Sequence, residues 1–236
     1  MVPELLIFDC DGVLIDSEPV AGRILQEVLQ SAGAEISVNE VRARFTGFAE
    51  VDARRICAEE LGLGDVDAIF QAVDNRLYGE FARSLKLMPG VAELVKAMPA
   101  RKCVASNSGM DRLRNSLGLF DLWDEFAPNI FSAEMVARPK PAPDLFLYCA
   151  NELDVEPARC VVIDDSPHGI VGAVAAGMQA IGFVDPADPR EGREAVLASA
   201  GAIAVATGSA ELSSILHGLF DRTGAAGERA GVPVLV

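Results

Sequence analysis

The hydrophobic residues of this chain form short continuous runs separated by longer amphipathic stretches. Five runs are rich in apolar and β-branched residues and predict buried strands: 5–9, 103–106, 160–164, 180–184 and 202–206. Helical patterns separate or follow the later runs, near 111–117, 143–153, 169–177, 190–200 and 210–219. This alternation predicts an α/β fold, with a parallel sheet covered by helices on both faces. The unbroken apolar character of the runs favours the same fold, because such strands are buried on both sides.

More than 90 residues separate the first predicted strand from the second, and their patterns are helical. Ser17 is a predicted N-cap with Pro19 in the first turn, Ser37 to Glu40 form a predicted capping box, and further helices are predicted over 50–61 and 66–83. We therefore expect a helical domain, 17–86, inserted into a discontinuous α/β core, 1–16 and 87–223. The Gly/Ala-rich tail, 224–236, is expected to be mobile.

Composition narrows the function classes. The formal charge of −15 disfavours a nucleic-acid partner, which would need a basic face. No apolar run approaches a membrane span, and the N-terminus lacks a signal-peptide pattern. Five scattered cysteines without a C-x-x-C pair predict reduced, mostly buried thiols. We therefore expect a cytoplasmic protein with no membrane and no nucleic-acid partner, either a monomer or a weak homo-oligomer.

The first strand ends on carboxylates, in the stretch LLIFDCDGVLIDSE (5–18). Residues two apart in an extended chain point the same way, so Asp9 and Asp11 should face together. Asp164 and Asp165 follow another predicted strand, and Ser106 and Asn107 follow a third. Because ligands bind beyond the carboxyl ends of parallel strands, we expect these side chains to share one crevice. Lys140 lies in a proline-rich loop expected near the same edge.

Four carboxylates in one crevice repel each other strongly unless a cation lies among them. A hard cation with oxygen ligands, most plausibly Mg²⁺, fits Asp9, Asp11, Asp164 and Asp165. Lys140 and the Ser106 hydroxyl suit a phosphate. Taken singly, each feature has a simpler explanation: the Asp164 segment resembles a helix cap, and Lys140 resembles a surface lysine. Together, however, the Asp9, Ser106 and Asp164 segments each end a predicted strand, and Lys140 lies near the same edge. This combination favours a metal and phosphate site.

The sequence resembles the haloacid dehalogenase superfamily of phosphatases, in the branch of the β-phosphoglucomutase-like and sugar-phosphate phosphatases. The resemblance covers about residues 4 to 216, and four motifs carry it: Asp9-Cys10-Asp11-Gly12-Val13, Ser106-Asn107, Lys140-Pro141-Ala142-Pro143-Asp144, and Asp164-Asp165-Ser166. It implies a Rossmann-like core with a helical cap inserted after the first motif.

By this resemblance, Asp9 is the nucleophile and forms an aspartyl-phosphate. Asp11 is the general acid and then the general base. Asp9, the backbone carbonyl of Asp11, and Asp165 hold Mg²⁺, with Asp164 contributing directly or through water. Ser106, Asn107 and Lys140 bind the phosphate oxygens, and Lys140 also offsets charge on the transferring group.

Departures from related activities narrow this expectation. The dehalogenases lack an acid at the position of Asp11, and its presence favours phosphoryl transfer. The β-phosphoglucomutases use a cap histidine and a cap arginine. Here the stretches 16–21 and 47–50 contain no histidine, and Glu50 stands where the arginine is expected. Hydrolysis of a small phosphorylated metabolite, a sugar phosphate or sugar-acid phosphate, is therefore the predicted activity, with a phosphosugar mutase as the alternative.

Two alternatives come from other classes. A receiver-type signalling module also joins acids, a serine or threonine and a lysine on a parallel sheet. Its acceptor aspartate ends a middle strand, however, and it lacks a helical insertion and an acid two residues after the acceptor. The order found here, with Asp9 after the first strand and Asp11 beside it, fits the phosphatase better. A binding protein on the same fold with inactive chemistry is the other alternative, and the intact acids argue against it.

Overall fold

The computed structural model describes residues 2–188 and 190–221. Its strands form one parallel six-stranded sheet in the order β3-β2-β1-β4-β5-β6. The strands are β1 (Leu5–Phe8), β2 (Arg101–Ser106), β3 (Ile130–Ser132), β4 (Cys160–Asp164), β5 (Gln179–Val184) and β6 (Ala204–Thr207). The expected α/β class and Rossmann-like parallel sheet are confirmed. All five predicted strands are present, with ends shifted by up to two residues.

The described helices surround and extend from this sheet. They are α1 (Glu18–Ser31), α2 (Val38–Phe45), α3 (Glu50–Arg55), α4 (Val66–Ser84), α5 (Val91–Ala97), α6 (Met110–Leu117), α7 (Leu122–Phe126), α8 (Asp144–Glu152), α9 (Pro167–Ala175), α10 (Arg193–Ser199) and α11 (Ser209–Asp221). Short 3₁₀ turns begin at Ala133 and Pro157. The sequence patterns predicted neither α5 nor α7, and both have seven or fewer residues.

The sheet is buried on both faces. Leu6 and Phe8 of β1 belong to one hydrophobic cluster, and their neighbours Leu5 and Ile7 belong to a second cluster on the opposite face. This alternation follows from the two-residue period of a strand. The first cluster continues into α1–α4 and is closed by α5, α6, α7 and α11, and the second is covered by α8, α9 and α10. The continuous apolar runs therefore mark strands inside a three-layer core.

Helices α1 to α4 occupy the long interval between β1 and α5. The predicted capping box of α2 is present: the Ser37 hydroxyl accepts from the Glu40 backbone N–H, and the Glu40 carboxylate accepts from the Ser37 N–H. Ser17 precedes α1 but makes no side-chain cap. The predicted helix over 50–61 ends as α at Arg55 and continues as a π-helical turn to Glu60.

The sequence patterns did not predict the edge strand β3. It has only three residues and pairs with β2 alone, from Val104–Ile130 to Ser106–Ser132. Three residues are too few to show a period, and their pairing depends on the β2 neighbour. The expectation of a mobile tail over 224–236 lies outside the described residues.

Two expectations from composition can be compared with this fold. All five cysteines are free and buried, as expected for reduced thiols. Within 2–188 and 190–221, no helix combines the length and apolarity that crossing a membrane would require.

Candidate active site

The site lies at the carboxyl edge of the sheet, between β1 and β4. The strand order runs from β1 to β3 on one side and from β4 to β6 on the other, so β1 and β4 flank the switch point where parallel sheets bind ligands. Phe8 pairs with Ile163, and the Asp9 N–H donates to the Ile163 carbonyl at 2.9 Å. This register places Asp9 beside Asp164, the last residue of β4.

Lys140 joins these two carboxylates. Its Nζ donates to Asp9 Oδ1 at 3.0 Å and to Asp164 Oδ2 at 2.7 Å. All three residues are buried, and Lys140 is only 3% exposed. Two buried carboxylates and one ammonium leave a net negative charge. The alternative that Lys140 is a surface lysine is therefore wrong. Its burial is tolerated because the ammonium is paired with two carboxylates.

Asp164 is further held by the start of α9. Its Oδ1 accepts from the Ser166 N–H at 2.9 Å and from the Ser166 hydroxyl at 2.7 Å. Ser166 Oγ in turn accepts from the Gly169 N–H and caps α9. The capping explanation for this segment is thus correct for Ser166, while the Asp164 carboxylate faces Lys140. One short segment both begins a helix and orients a site carboxylate.

Asp165 completes a group of three acids. Asp9, Asp164 and Asp165 each offer a ligand atom, and these atoms lie within 4.8 Å of one another. No hydrogen bond from a described residue reaches the Asp165 carboxylate, and its nearest cation is Arg193 at 4.0 Å from Oδ2. Gly12, at φ +80°, allows this close approach, because a Cβ there would lie 2.6 Å from Asp165 Oδ2.

The pKa values of Asp9 and Asp165 are raised because these two carboxyl groups are buried with too little positive charge around them. Burial, together with the neighbouring Asp164 and Asp11, raises the pKa of Asp9 to about 7 despite Lys140. Burial and the charges of Glu18 and Asp164 also raise the pKa of Asp165 well above its usual value. Burial lowers the pKa of Lys140, but Asp164 and Asp9 raise it more, so the net shift is upward. An added cation would stabilise both carboxylates.

Asp11 lies outside that group of three and has its own set of donors. The Arg112 guanidinium donates to Oδ1 at 2.8 Å, Ser108 Oγ donates to Oδ2 at 2.7 Å, and the Ser17 hydroxyl also donates to Oδ1. Burial raises the pKa of Asp11, but Arg112 and the two hydroxyls lower it more, so the net shift is downward. Asp11 and Asp9 nevertheless line the same cavity.

Ser106 and Asn107 lie at the end of β2, beside this group. Ser106 is buried, and its Oγ accepts from the Ser108 N–H at 3.1 Å. The Asn107 amide donates at 3.1 Å to the carbonyls of Gly47 and Lys140 and accepts from the Lys140 N–H at 3.0 Å. The Asn107 side chain therefore connects the loop before α3 to the Lys140 loop.

A cavity of about 280 Å³ opens over the carboxylates. Residues at the strand ends line its floor. Its opposite wall includes Phe48 of the loop before α3, Glu50 of α3, and Asp74 and Tyr78 of α4. Phe48 also packs against His168 of α9, with 4.6 Å between ring centroids. The helical segment thus contacts the core directly over the site.

The sequence patterns did not identify the three partners of the Asp11 carboxylate, which are Ser17, Ser108 and Arg112. The sequence predicts Ser17 as a helix N-cap and gives no indication that Arg112 belongs to the site. Arg112 lies 101 positions from Asp11, and its guanidinium also lies over the Phe81 ring, 5.8 Å from the centroid. Of these three, only Ser108 could have been recognised from the sequence, because it directly follows the predicted phosphate-binding pair Ser106-Asn107.

The fold and the site together define an α/β protein with a buried carboxylate–lysine centre at the switch point of a parallel sheet. The chain belongs to the haloacid dehalogenase-like hydrolase family, whose model matches residues 3–177.

Similar proteins are found among both curated sequences and solved structures. The chain is 34% identical over 192 residues to hexitol phosphatase B of Escherichia coli K12, covering 78% of this chain and 86% of that protein. It is 30% identical over 190 residues to 6-phosphogluconate phosphatase of the same strain, covering 79% and 84%. A haloacid dehalogenase-like protein of unknown function from Agrobacterium tumefaciens C58 superposes with a TM-score of 0.77 at 35% identity, covering 92% of this chain and 99% of that one.

Proposed function

We propose that this protein is a Mg²⁺-dependent phosphatase that hydrolyses a small phosphorylated metabolite through an aspartyl-phosphate. The observation that supports it most is the buried group of Asp9, Asp164 and Asp165 joined to Lys140 at the floor of one cavity. Relatives named as phosphatases of a hexitol phosphate and of 6-phosphogluconate support a sugar phosphate or sugar-acid phosphate as substrate.

Asp9 is the nucleophile in this proposal. Its carboxylate attacks phosphorus while the bond to the leaving alkoxide breaks, which gives an acyl phosphate on Asp9. Lys140, 3.0 Å from Asp9 Oδ1, favours the ionised carboxylate and offsets charge on the transferring group. The Ser106 hydroxyl and the Asn107 backbone N–H supply further donors to the phosphate oxygens, from the end of the neighbouring strand β2, since the Asn107 side-chain amide is bonded to two carbonyls.

Asp11 transfers the protons. It protonates the leaving alkoxide, and then takes a proton from the water that attacks the acyl phosphate, releasing inorganic phosphate. The second step needs the ionised form of Asp11, and Arg112 with its two hydroxyl partners stabilises that form. The first step needs the protonated form, which weakening of the Arg112 contact would favour.

The donor set fits Mg²⁺. Of three buried carboxylates, only Asp9 and Asp164 are bonded to Lys140, and the Asp165 carboxylate accepts no hydrogen bond from the described residues. Carboxylate oxygens are the ligands that Mg²⁺ prefers. Asp9 and Asp165 would hold the ion with the Asp11 carbonyl, and Asp164, which is bonded to Lys140 and Ser166, would contribute directly or through water. When bound, Mg²⁺ would neutralise charge on the phosphoryl group.

The domain boundaries belong to the same proposal. Residues 17–86 form a helical cap, and residues 1–16 with 87–223 form the core. The wall of the cavity formed by α1 to α4 supports this division, as does the Asn107 bridge to Gly47. The cap would exclude bulk water from the reacting phosphate while the substrate is bound.

The test compares wild type, Asp9→Asn and Asp11→Asn on a phosphate monoester with Mg²⁺. Wild type should release phosphate and show a transient, hydroxylamine-labile protein phosphate. Asp9→Asn should lose both signals, and Asp11→Asn should slow turnover about a hundredfold or more. Wild type that accumulates a stable stoichiometric phospho-aspartate and releases little phosphate would instead favour the signalling alternative.

A further inference from the structure

The cavity over the site is lined mainly by acidic residues among its charged side chains. Beyond the metal and proton-transfer acids, five carboxylate residues line it: Glu18, Glu50, Asp74, Asp111 and Glu134. Among the described residues, the only lysine or arginine side chains in this lining are Lys140 and Arg112. Glu18 is paired with Arg190 at 3.1 Å, but a substrate that enters this cavity still meets more acidic than basic side chains.

The charge of each of these two cations is already paired with a carboxylate of the site. Lys140 is bonded to Asp9 and Asp164. The Arg112 guanidinium is paired with Asp11 through Nη2 at 2.8 Å, and its Nε, which has no partner among the described residues, is buried. A substrate carboxylate at Arg112 would have to compete with Asp11, which also accepts hydrogen bonds from two hydroxyls.

Asp74 and Tyr78 are two polar residues of the wall without a bonded partner among the described residues. They lie one helical turn apart on α4, on the face that lines the cavity, and both are half-buried. Within the described part of the chain, neither side chain makes a hydrogen bond or an ion pair. Glu50, in contrast, accepts from Arg54 at 2.6 Å, so its charge is partly compensated, although Arg54 also donates to Asp67 at 2.6 Å. Asp74 thus lines the cavity with a carboxylate that no described residue binds directly.

We infer that Asp74 and Tyr78 select a neutral, polyhydroxylated leaving group, and that the cavity disfavours phosphate esters carrying a carboxylate or a second phosphate. Substrate hydroxyls donate to the Asp74 carboxylate and exchange hydrogen bonds with the Tyr78 hydroxyl, whereas an anionic group in their place is repelled. This inference rests on the proposed phosphatase function. Of the two proposed substrate classes, it favours sugar phosphates with a neutral leaving group over sugar-acid phosphates.

The test uses two substrates that differ at one carbon: 6-phosphogluconate, and the alditol phosphate in which its carboxylate is reduced to CH₂OH. For wild type, kcat/KM should be at least about tenfold higher on the alditol phosphate, because unpaired like charges in a partly buried site repel over several ångströms. Asp74→Asn should reduce this ratio about fivefold or more, mainly by lowering KM for the acid. The ratio of the two kcat/KM values, measured on one preparation of a variant, does not depend on the fraction of active protein.

Glu50→Gln is the matched control. It removes a carboxylate from the same wall, but one that is bonded directly to Arg54, so the ratio should change less than about twofold. Equal effects of the two substitutions, or an unchanged ratio in Asp74→Asn, would overturn the assignment to Asp74. A wild type that prefers 6-phosphogluconate would overturn the whole inference.

A third substrate separates this inference from the proposed function. If wild type hydrolyses p-nitrophenyl phosphate with Mg²⁺ but shows no preference for the alditol phosphate, the phosphatase stands and the selectivity is wrong. If none of the three esters is hydrolysed, both are wrong.

Discussion

Gly169 offers a sharp test of how the site is held together. It lies in the first turn of α9, against the carboxylate of Asp164. A Cβ at this position would lie 1.8 Å from Asp164 Oδ2 and 1.9 Å from its Cγ. Carbon atoms in contact stay about 3.5 Å apart, so Gly169→Ala must displace the carboxylate or the helix by about 1.5 Å.

Such a displacement breaks the strongest contacts of Asp164. The 2.7 Å bond to Lys140 and the 2.9 and 2.7 Å bonds to Ser166 cannot all survive it. Disrupting a buried ion pair costs about 3–5 kcal/mol, and alanine returns about 1 kcal/mol through its higher helix propensity. We expect a net loss of about 2–4 kcal/mol in the free energy of unfolding, and about a hundredfold loss in kcat from the misplaced site.

Urea denaturation and steady-state phosphate release measure the two effects. Gly218→Ala is the control, because it makes the same substitution in α11, where nothing lies within 4 Å of the new Cβ. That variant should be as stable as wild type or up to about 1 kcal/mol more stable. A Gly169→Ala protein that matches wild type in both unfolding and turnover would refute the close packing of Asp164 on Gly169 as the reason for a glycine there.

Two further predictions concern the helical segment and the metal. Ser37→Ala should lower the free energy of unfolding by about 1 kcal/mol, because it removes the capping box of α2; Ser31→Ala, whose hydroxyl only donates to a carbonyl within α1, should change it by less than about 0.5 kcal/mol. Comparable losses in urea would contradict the cap assignment. In thermal melts, Mg²⁺ should raise the Tm of wild type, and Asp165→Asn should weaken that shift because it removes a proposed ligand; equal shifts in both proteins would exclude Asp165 as a ligand.

Local patterns were sufficient for much of this fold. The apolar runs identified five of six strands, and Ser37 and Glu40 identified a helix start, because strand burial and capping depend on residues close together in sequence. The carboxyl-end rule also predicted that Asp9, Asp164 and Asp165 would meet, since parallel strands bring equivalent ends to one edge. The chemical roles of these residues stay predictions.

Tertiary structure alone decided which partners these residues have. Lys140 alone resembled a surface residue, yet it is buried between carboxylates 131 and 24 positions away. Ser17 preceded a helix as predicted, but its hydroxyl bonds Asp11 instead of capping. Arg112 reaches Asp11 only because α6 packs near the end of β1, and β3 exists only as a partner of β2. The physical reason is that a charged or hydroxyl side chain, once removed from water, bonds whichever partner the packing brings near, and sequence spacing does not encode that partner.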